Sequence, residues 1–553
     1  MTDRGRGIRG TSSGLLAEAR TGLRFSAGVP RLLRRRTRLD VAPTVIRRRR
    51  EERATTFLTI VRRGVYESPR SPYRALLRHA GCEYGDLEAL VRRNGVEGAL
   101  RALLRQGVYV TVNELKGRSR VVRGGTTVVA GSERLRNPAA AFHVPVRTGG
   151  SRGEGTSILL DLEFVTECGV NTSLGLAARG GERWLKAHWL VPGGSALVRV
   201  LEYASFGSLP VRWFSQIDPC QPGLHPRYRW SARTMRWASC LALRPLPRLR
   251  YVPLENPAPI AAWMAGVVAS GETPHLYTYP SCAMRVCETA AAAGIPIEGA
   301  QFTLVGEPVT VPRLDVIRGV GAEAAPRYAA TDVGPLGDGC RAPAAADDVH
   351  FYDDLHALVR IEGDEGLPEL PRGALLVSTL RPTAPFVLLN ASLGDCATVS
   401  RRACGCPMEA FGWTTHLHTI RSFEKLTAGG MNFVDSEVIA VLEETLPRRF
   451  GGAPTDYQLV EDQTAAGRPR LRLLVHPRVG SVDAARVADV FLAALGRGSG
   501  VERVMELQWR KLGLLEVERR APRMTSAGKV LHLHTERETA PSDVADVAVG
   551  GRS

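Results

Sequence analysis

The stretch Val387–Phe433, VLLNASLGDCATVSRRACGCPMEAFGWTTHLHTIRSFEKLTAGGMNF, separates two unlike parts of the chain. It holds an acidic turn (Gly394-Asp395), a Cys-x-Cys pair (Cys404, Cys406), an isolated basic residue (Arg421) and a double glycine (Gly429-Gly430). Upstream, short apolar runs alternate with helical segments such as PAPIAAWMAGVVAS and SCAMRVCETAAAAG, a pattern that predicts a largely parallel α/β sheet. Downstream, SEVIAVLEETLP reads as a helix, DYQLVEDQ and RLRLLVHP as strands, VDAARVADVFLAALG as a helix and LLEVERRAP as a strand. The expected fold class is therefore α/β: a large N-terminal α/β domain with an appended β-rich part, and a small mobile C-terminal αββαβ domain.

Boundaries follow from composition. Residues 1–54 form a basic leader, expected to be disordered; 55–420 form the large domain, with a β-rich part at 335–410; 421–535 form a lid; and 536–553 form a polar tail. Two amphipathic helices open the large domain, the second broken near Gly95.

A length of 553 residues is too great for one core, and 44% hydrophobic with 23% charged residues is ordinary for a globular chain. The formal net charge of +17 owes much to Arg in RLLRRRTRLD and VIRRRREER. Such charge suits nucleic acid, an anionic membrane or a polyanionic small molecule. No base-reading module accompanies it, so nucleic acid is not an expected partner. No apolar run is long enough to span a bilayer. Ten cysteines are too few for a disulfide scaffold and point to packing, metal or catalysis in a reducing compartment, the cytoplasm.

The loop RTGGSRGEGT, Arg147 to Thr156, has the composition of a phosphate cradle: glycines let backbone N–H groups approach anionic oxygens, and hydroxyls add donors. No Gly-Lys-Ser/Thr follows at Walker A spacing. Four further features stand downstream in order: Gly306-Glu307 after the strand FTLV; Tyr328-Ala329-Ala330-Thr331-Asp332; Gly394-Asp395; and Arg421, opening RSFEKLTAGGMN. A lone lysine, Gly528-Lys529, closes the small domain.

In this order and spacing the motifs resemble the adenylate-forming superfamily of acyl- and aryl-CoA ligases, most nearly its phenylacetate–CoA ligase-like branch. The resemblance runs from about Thr148 to Lys529. It implies an ATP-dependent acid–thiol ligase (AMP-forming), which makes an acyl-adenylate from a carboxylic acid and passes the acyl group to a thiol, coenzyme A before others. Transfer to an acyl carrier protein or an amine, and a non-catalytic nucleotide-binding relative, are the alternatives. The roles it implies are these: Lys529 bridges carboxylate and α-phosphate, Thr331 donates to the α-phosphate, and Asp332 holds magnesium (Mg2+). Tyr328 packs on adenine, Asp395 accepts from the ribose hydroxyls with help from Arg421, and Gly306-Glu307 border the nucleotide. Thr148, Gly149, Gly150, Ser151, Gly153 and Thr156 cover the outer phosphates, and the lid turns about Glu424. Four departures from the family pattern stand out: Asp332 for Glu, Arg152 and Glu154 in the cradle, Thr427 for Lys, and Asn390-Ala391-Ser392 before the Gly-Asp turn.

A second constellation runs Cys340, His350, Cys404, Cys406. Three thiols and an imidazole suit a closed tetrahedral zinc (Zn2+) site, structural rather than catalytic. The same branch often carries such a set. His416 and His418 compete for the histidine position. Cys282 and Cys287 read as core. His143, Trp184, His188 and Trp189 flank the cradle, where a histidine could line a carboxylate pocket; satisfied structural histidines are the plainer account.

Overall fold

The computed structural model describes residues 24–25, 27–34, 37–141, 144–147, 157–220, 227–363, 367, 369–423, 427–428, 431–432, 437–463, 469–496, 510, 515–525 and 528–535. The chain divides into two units. The first comprises Met1–Gly149, Gly155–Glu424 and Ser526–Lys529; the second comprises Gly150–Glu154, Lys425–Thr525 and Val530–Ser553.

The first unit is built on one twelve-stranded sheet. Its strands are β1 (Leu185–Leu190), β2 (Arg212–Ser215), β3 (Leu249–Tyr251), β4 (Pro274–Thr278), β5 (Gln301–Val305), β6 (Glu323–Ala330), β7 (Gly334–Gly339), β8 (Val349–Phe351), β9 (His356–Arg360), β10 (Ala374–Thr379), β11 (Ala391–Arg401) and β12 (Thr415–Ser422). Their spatial order is β9-β10-β11-β12-β8-β7-β6-β5-β4-β1-β2-β3. From β3 to β6 every neighbouring pair is parallel. From β6 to β9 every pair is antiparallel.

Burial explains the parallel half. All of β4 and all but the first residue of β5 are buried, as expected of strands covered on both faces. Helices Ala258–Ala269, Pro280–Ala292 and Val311–Arg318 supply one cover, packing Ile260, Met264, Val286, Leu314 and Ile317 against Trp189, Leu276, Phe302 and Leu304. After β3 the chain returns to lay β4 on the other side of β1, so the strand order reverses between β1 and β4. Such a reversal opens a crevice beyond the carboxyl ends of the strands.

The appended β-rich part continues the sheet itself: β7 pairs with β6 and carries the same hydrogen bonding onward. One expectation needs correction. The Arg-rich leader is not disordered up to residue 54: Ala42–Glu51 is a helix with Pro43 in its first turn and with Ile46 and Arg49 buried. The Arg49 guanidinium pairs with Asp354 and donates to Asn171, which compensates its burial. The helix Tyr84–Arg105 kinks at Gly95, where φ is 69°.

The second unit holds helical turns from Glu437 to Phe450, then β13 (Tyr457–Gln463), β14 (Pro469–Val475), the helix Ala484–Leu495, β15 (Leu515–Arg519) and β16 (Leu533–Thr535). Its sheet order is β15-β14-β13-β16. The expected αββαβ order thus gains one strand, β16, which lies parallel to β13. Leu442, Leu446, Leu459, Leu473 and Phe491 form its core, and Asp483 caps the helix by accepting from Ala485 and Arg486 N–H. Among the described residues no helix is long and apolar enough to cross a membrane.

Candidate active site and metal cluster

Candidate residues gather where the parallel strands end. Gln216 follows β2, Tyr279 follows β4, Gly306 follows β5 and Thr331 follows β6. Gly528 and Lys529, which group with the first unit, meet these ends. A Cβ on Gly306 would stand 2.7 Å from Lys529 Nζ, and Gly306 has φ 77°. Lys529 Nζ lies 5.4 Å from the centroid of the Tyr279 ring, within cation–π range. A Cβ on Gly528 would lie 2.3 Å from Gln216 Oε1. Gln216 is held by donating from Nε2 to Trp189 O at 3.0 Å and to Cys282 Sγ at 3.3 Å. A half-buried ammonium thus stands over glycine and aromatic surface at the strand reversal, where an anionic ligand would meet little side-chain bulk.

Thr331 and Asp332 form the half-exposed turn between β6 and β7. Three strands separate β6 from β11 in the sheet, yet Tyr328 Oη donates to Asp395 Oδ2 at 2.9 Å. Burial, then the adjacent Asp395 carboxylate, push the Tyr328 hydroxyl well above its ordinary value, so it stays a donor.

Glu307 and Arg421 are turned differently from expectation. The Glu307 carboxylate is buried, accepting from Ser281 N–H and Oγ and pairing with Arg313 at 2.9 Å. It ties the end of β5 to the start of the helix Pro280–Ala292. Arg421 reaches Asp347 at 3.0 Å, and the same carboxylate accepts from Thr419 and Ile420 N–H. Thr148, Gly149, Gly150, Ser151, Gly153 and Thr156 lie outside the described residues, as do His143 and Glu424. The flanking strands Val144–Arg147 and Ser157–Leu160 pair antiparallel, with Arg147 opposite Ser157.

The structure brings Cys340, His350, Cys404 and Cys406 together, with their ligand atoms all within 4.8 Å of one another. Gly405, at φ 72°, turns the chain between the two thiols. The Glu409 carboxylate fixes that loop by accepting from Cys404 N–H at 3.0 Å and Gly405 N–H at 2.8 Å. His350 Nδ1 bonds Trp413 O, so Nε2 faces the sulfurs, 3.1 Å from Cys406 and 3.5 Å from Cys404. This is the tautomer a metal ligand needs, with its outer nitrogen oriented by a carbonyl. Burial lowers His350 to about 4, which keeps the ring neutral, and raises the Cys340 and Cys404 thiols. Three thiols and a neutral imidazole at these separations fit a tetrahedral divalent ion. His416 is drawn away instead: its Nδ1 meets Asp348 Oδ1 at 2.9 Å, although its ring centroid lies 4.1 Å from that of His350.

Cys282 and Cys287 are buried on their helix. His188 is fully buried and stacked on Tyr203 at 4.9 Å, but neither ring nitrogen has a hydrogen-bond partner among the described residues, so it is not the satisfied histidine expected. Gln216, Tyr279, Asp347 and Trp413 escaped sequence reasoning. Tyr279 alone carried a signal, as the residue between a strand and a helix-opening proline.

No protein-family profile matches the sequence, and neither does any curated protein. Solved structures do match. One is 2-hydroxyisobutyryl-CoA ligase in the postadenylation state with R3-HIB-AMP, with a TM-score of 0.51 and 16% identity over 88% of this chain and 89% of that one. The same ligase with 2-HIB-AMP gives 0.50 and 15% over 88% and 89%. At such identity the likeness speaks to architecture, and in architecture this chain has the adenylate-forming ligase fold, with its large N-terminal domain and smaller C-terminal domain.

Proposed function

We propose that the chain activates a carboxylic acid with ATP and passes the acyl group to a thiol, as an AMP-forming acid–CoA ligase of the phenylacetate–CoA ligase-like branch. The observation that carries this reading is the approach of Gly528-Lys529 to Gly306 and Tyr279 at the strand reversal. In the first half-reaction a substrate carboxylate oxygen attacks the α-phosphorus, forming the acyl–phosphate bond as the bond to pyrophosphate breaks. In the second, a thiolate attacks the acyl carbon and AMP leaves.

Lys529 offers the mobile charge that offsets the closing carboxylate and α-phosphate. Thr331 is suited to donate to the α-phosphate, and Asp332 to hold Mg2+ through a hard oxygen. Bound Mg2+ would neutralise charge on the departing pyrophosphate. The ring of Tyr328 is assigned to adenine and Asp395 to ribose. The glycine-rich loop Thr148–Thr156 is assigned to the outer phosphates, and Glu424 to the pivot. Arg421, committed to Asp347, is reassigned to holding β12 in place. The Cys340, His350, Cys404, Cys406 set is read as a structural zinc site. Ten unpaired cysteines suit the reducing cytoplasm.

The test is ATP–pyrophosphate exchange across aryl and aliphatic acids, comparing wild type with Lys529→Ala. Acid-dependent exchange that collapses in the variant supports the reading and identifies the acid. Exchange that survives the substitution, or exchange with no acid at all, overturns it. Product analysis with coenzyme A against a carrier-protein thiol then fixes the acceptor.

A further inference from the structure

The helix Arg227–Leu241 joins β2 to β3, the strand at one edge of the sheet. Its inner side is ordinary: Met235, Ala238, Ser239 and, just past its end, Ala242 are buried, three or four residues apart. The opposite side is not. Trp237 is 60% exposed and Leu241 49%, and beyond the helix Leu243 reaches 88%, more than any other large hydrophobic residue described. Arg233 is exposed one turn before Trp237 on the same face.

Leu243 carries a second anomaly. The helix closes with Leu243 N–H donating to Cys240 O at 2.9 Å and Arg244 N–H donating to Ser239 O at 3.0 Å. That cap places a left-handed residue at its turn, and Leu243 has φ 57°. Glycine takes this position without steric cost. A leucine strained here and standing in solvent serves neither packing nor the turn, so its side chain has another use.

Charge indicates what covers it. Between Asp218 and Glu255 the sequence holds seven arginines and no acidic residue. Arg34, 207 residues away, donates to Leu241 O at 3.0 Å and brings a further exposed guanidinium to the end of the helix. A second copy of the chain would set arginine against arginine across a self-complementary contact. Nucleic acid offers no seat for two leucines. A protein would need a pocket shaped to Leu243, whereas a lipid interface admits protruding Trp and Leu side chains wherever anionic headgroups surround them.

We infer that the face of Trp237, Leu241 and Leu243 docks on an anionic lipid surface. The apolar side chains enter among the acyl chains, and Arg34 and Arg233 meet the headgroup phosphates. Because β2 and β3 are parallel, the helix between them runs back, and Leu241 and Leu243 lie toward the amino ends of the strands, opposite Gln216. Docking there leaves the carboxyl ends open. The inference does not depend on the proposed ligase reaction.

Flotation of the full chain with phosphatidylcholine vesicles, with and without phosphatidylglycerol, tests this. Binding to the anionic vesicles is expected to exceed that to neutral ones by about tenfold or more, and to fall as salt screens the arginines. Leu243→Gly relieves the cap, so it should melt no lower than wild type while its vesicle affinity drops by about tenfold, the worth of one buried leucine. A leucine that served only the fold would do the reverse. Lipids brominated in their acyl chains should quench tryptophan fluorescence of the bound wild type, and most of that quenching should vanish in Trp237→Phe. Absent binding, or equal binding to both vesicles, overturns the inference. Binding that survives Leu243→Gly with no quenching traceable to Trp237 also overturns it, and moves membrane contact to another arginine-rich surface such as the helix Ala42–Glu51. A dimer in solution that Leu243→Gly dissociates would assign the face to a second copy instead.

Discussion

Gly306 and Lys529 are matched in size: the space a Cβ would fill on the glycine is the space that the lysine ammonium occupies, 2.7 Å away. The match joins the end of β5 to the last motif of the chain. Gly306→Ala also forces an alanine to φ 77°, a left-handed conformation that costs about 1–2 kcal/mol. The end of a lysine yields easily, so the fold should survive while the ammonium is displaced. Pyrophosphate exchange is expected to fall by one to two orders of magnitude, toward the level of Lys529→Ala, with a melting temperature lowered by only a few degrees. Unaltered exchange in Gly306→Ala would separate the glycine from the lysine's task.

Arg327 lies buried beneath the Tyr328 motif, with Glu202 at 2.7 Å and Asp338 at 2.6 Å, and it donates to Thr172 Oγ1. Removing it takes the cation from buried Asp338, which keeps the Tyr352 hydroxyl, and leaves Glu202 paired with Arg199. Arg327→Leu is expected to cost about 3–5 kcal/mol, read as a shift in the urea midpoint. Substituting Arg38, whose pairing with Asp40 is fully exposed, should leave that midpoint in place.

These contrasts show what sequence can reveal. The meeting of Cys340, His350, Cys404 and Cys406 was legible because two thiols flanking one residue leave few geometric choices. Long-range pairings were not. Arg49 finds Asp354 across 305 residues, so an Arg-rich run that resembles solvated leader is instead a docked helix. Arg421 finds Asp347 across 74 residues, a pairing that depends on how β12 lies beside β8. Glu307 ends its strand as the motif requires, yet turns to Arg313 because a buried carboxylate needs a cation.

Acid should destabilise the protein before its carboxylates titrate. His188 and His275 are fully buried, and burial, then neighbouring cations, hold both well below the ordinary histidine value; burial lowers His356 to about 4. The unfolded chain, with histidines near 6.5, therefore binds more protons than the folded one as pH falls below 6.5. Stability is full above that value and declines by up to about 1.4 kcal/mol per pH unit for each such histidine. Urea midpoints at pH 7.5 and 5.5 should show the decline. His188→Phe, which keeps a ring against Tyr203, should reduce the slope by one histidine's share; an unchanged slope would remove His188 from the account.

The Cys340–His350–Cys404–Cys406 cluster and the Arg-rich helix are joined by a chain of contacts, so a metal bound at the cluster should steady both. His350 bonds the Trp413 carbonyl, Trp413 Nε1 donates to Asp354 at 3.1 Å, and Asp354 holds Arg49 at 3.3 Å. Arg50 adds a pair with Asp353 at 3.0 Å, and a cleft of about 460 Å3 between helix and loop is lined by Arg47, Arg50, Glu51, Glu409 and Phe411. A cation at the cluster would crosslink the Cys404–Cys406 turn and reinforce, through His350 and Trp413, the frame around Asp354 and Arg49. Protein purified without chelator is expected to hold about one zinc per chain. Stripping it, or making Cys406→Ser, should render the bonds after Arg47 to Arg50 among the first cut by trypsin and lower the melting temperature by several degrees, with zinc restoring the first effect in wild type alone. Identical digestion with and without metal would show that the helix is held by its ion pairs independently of the cluster.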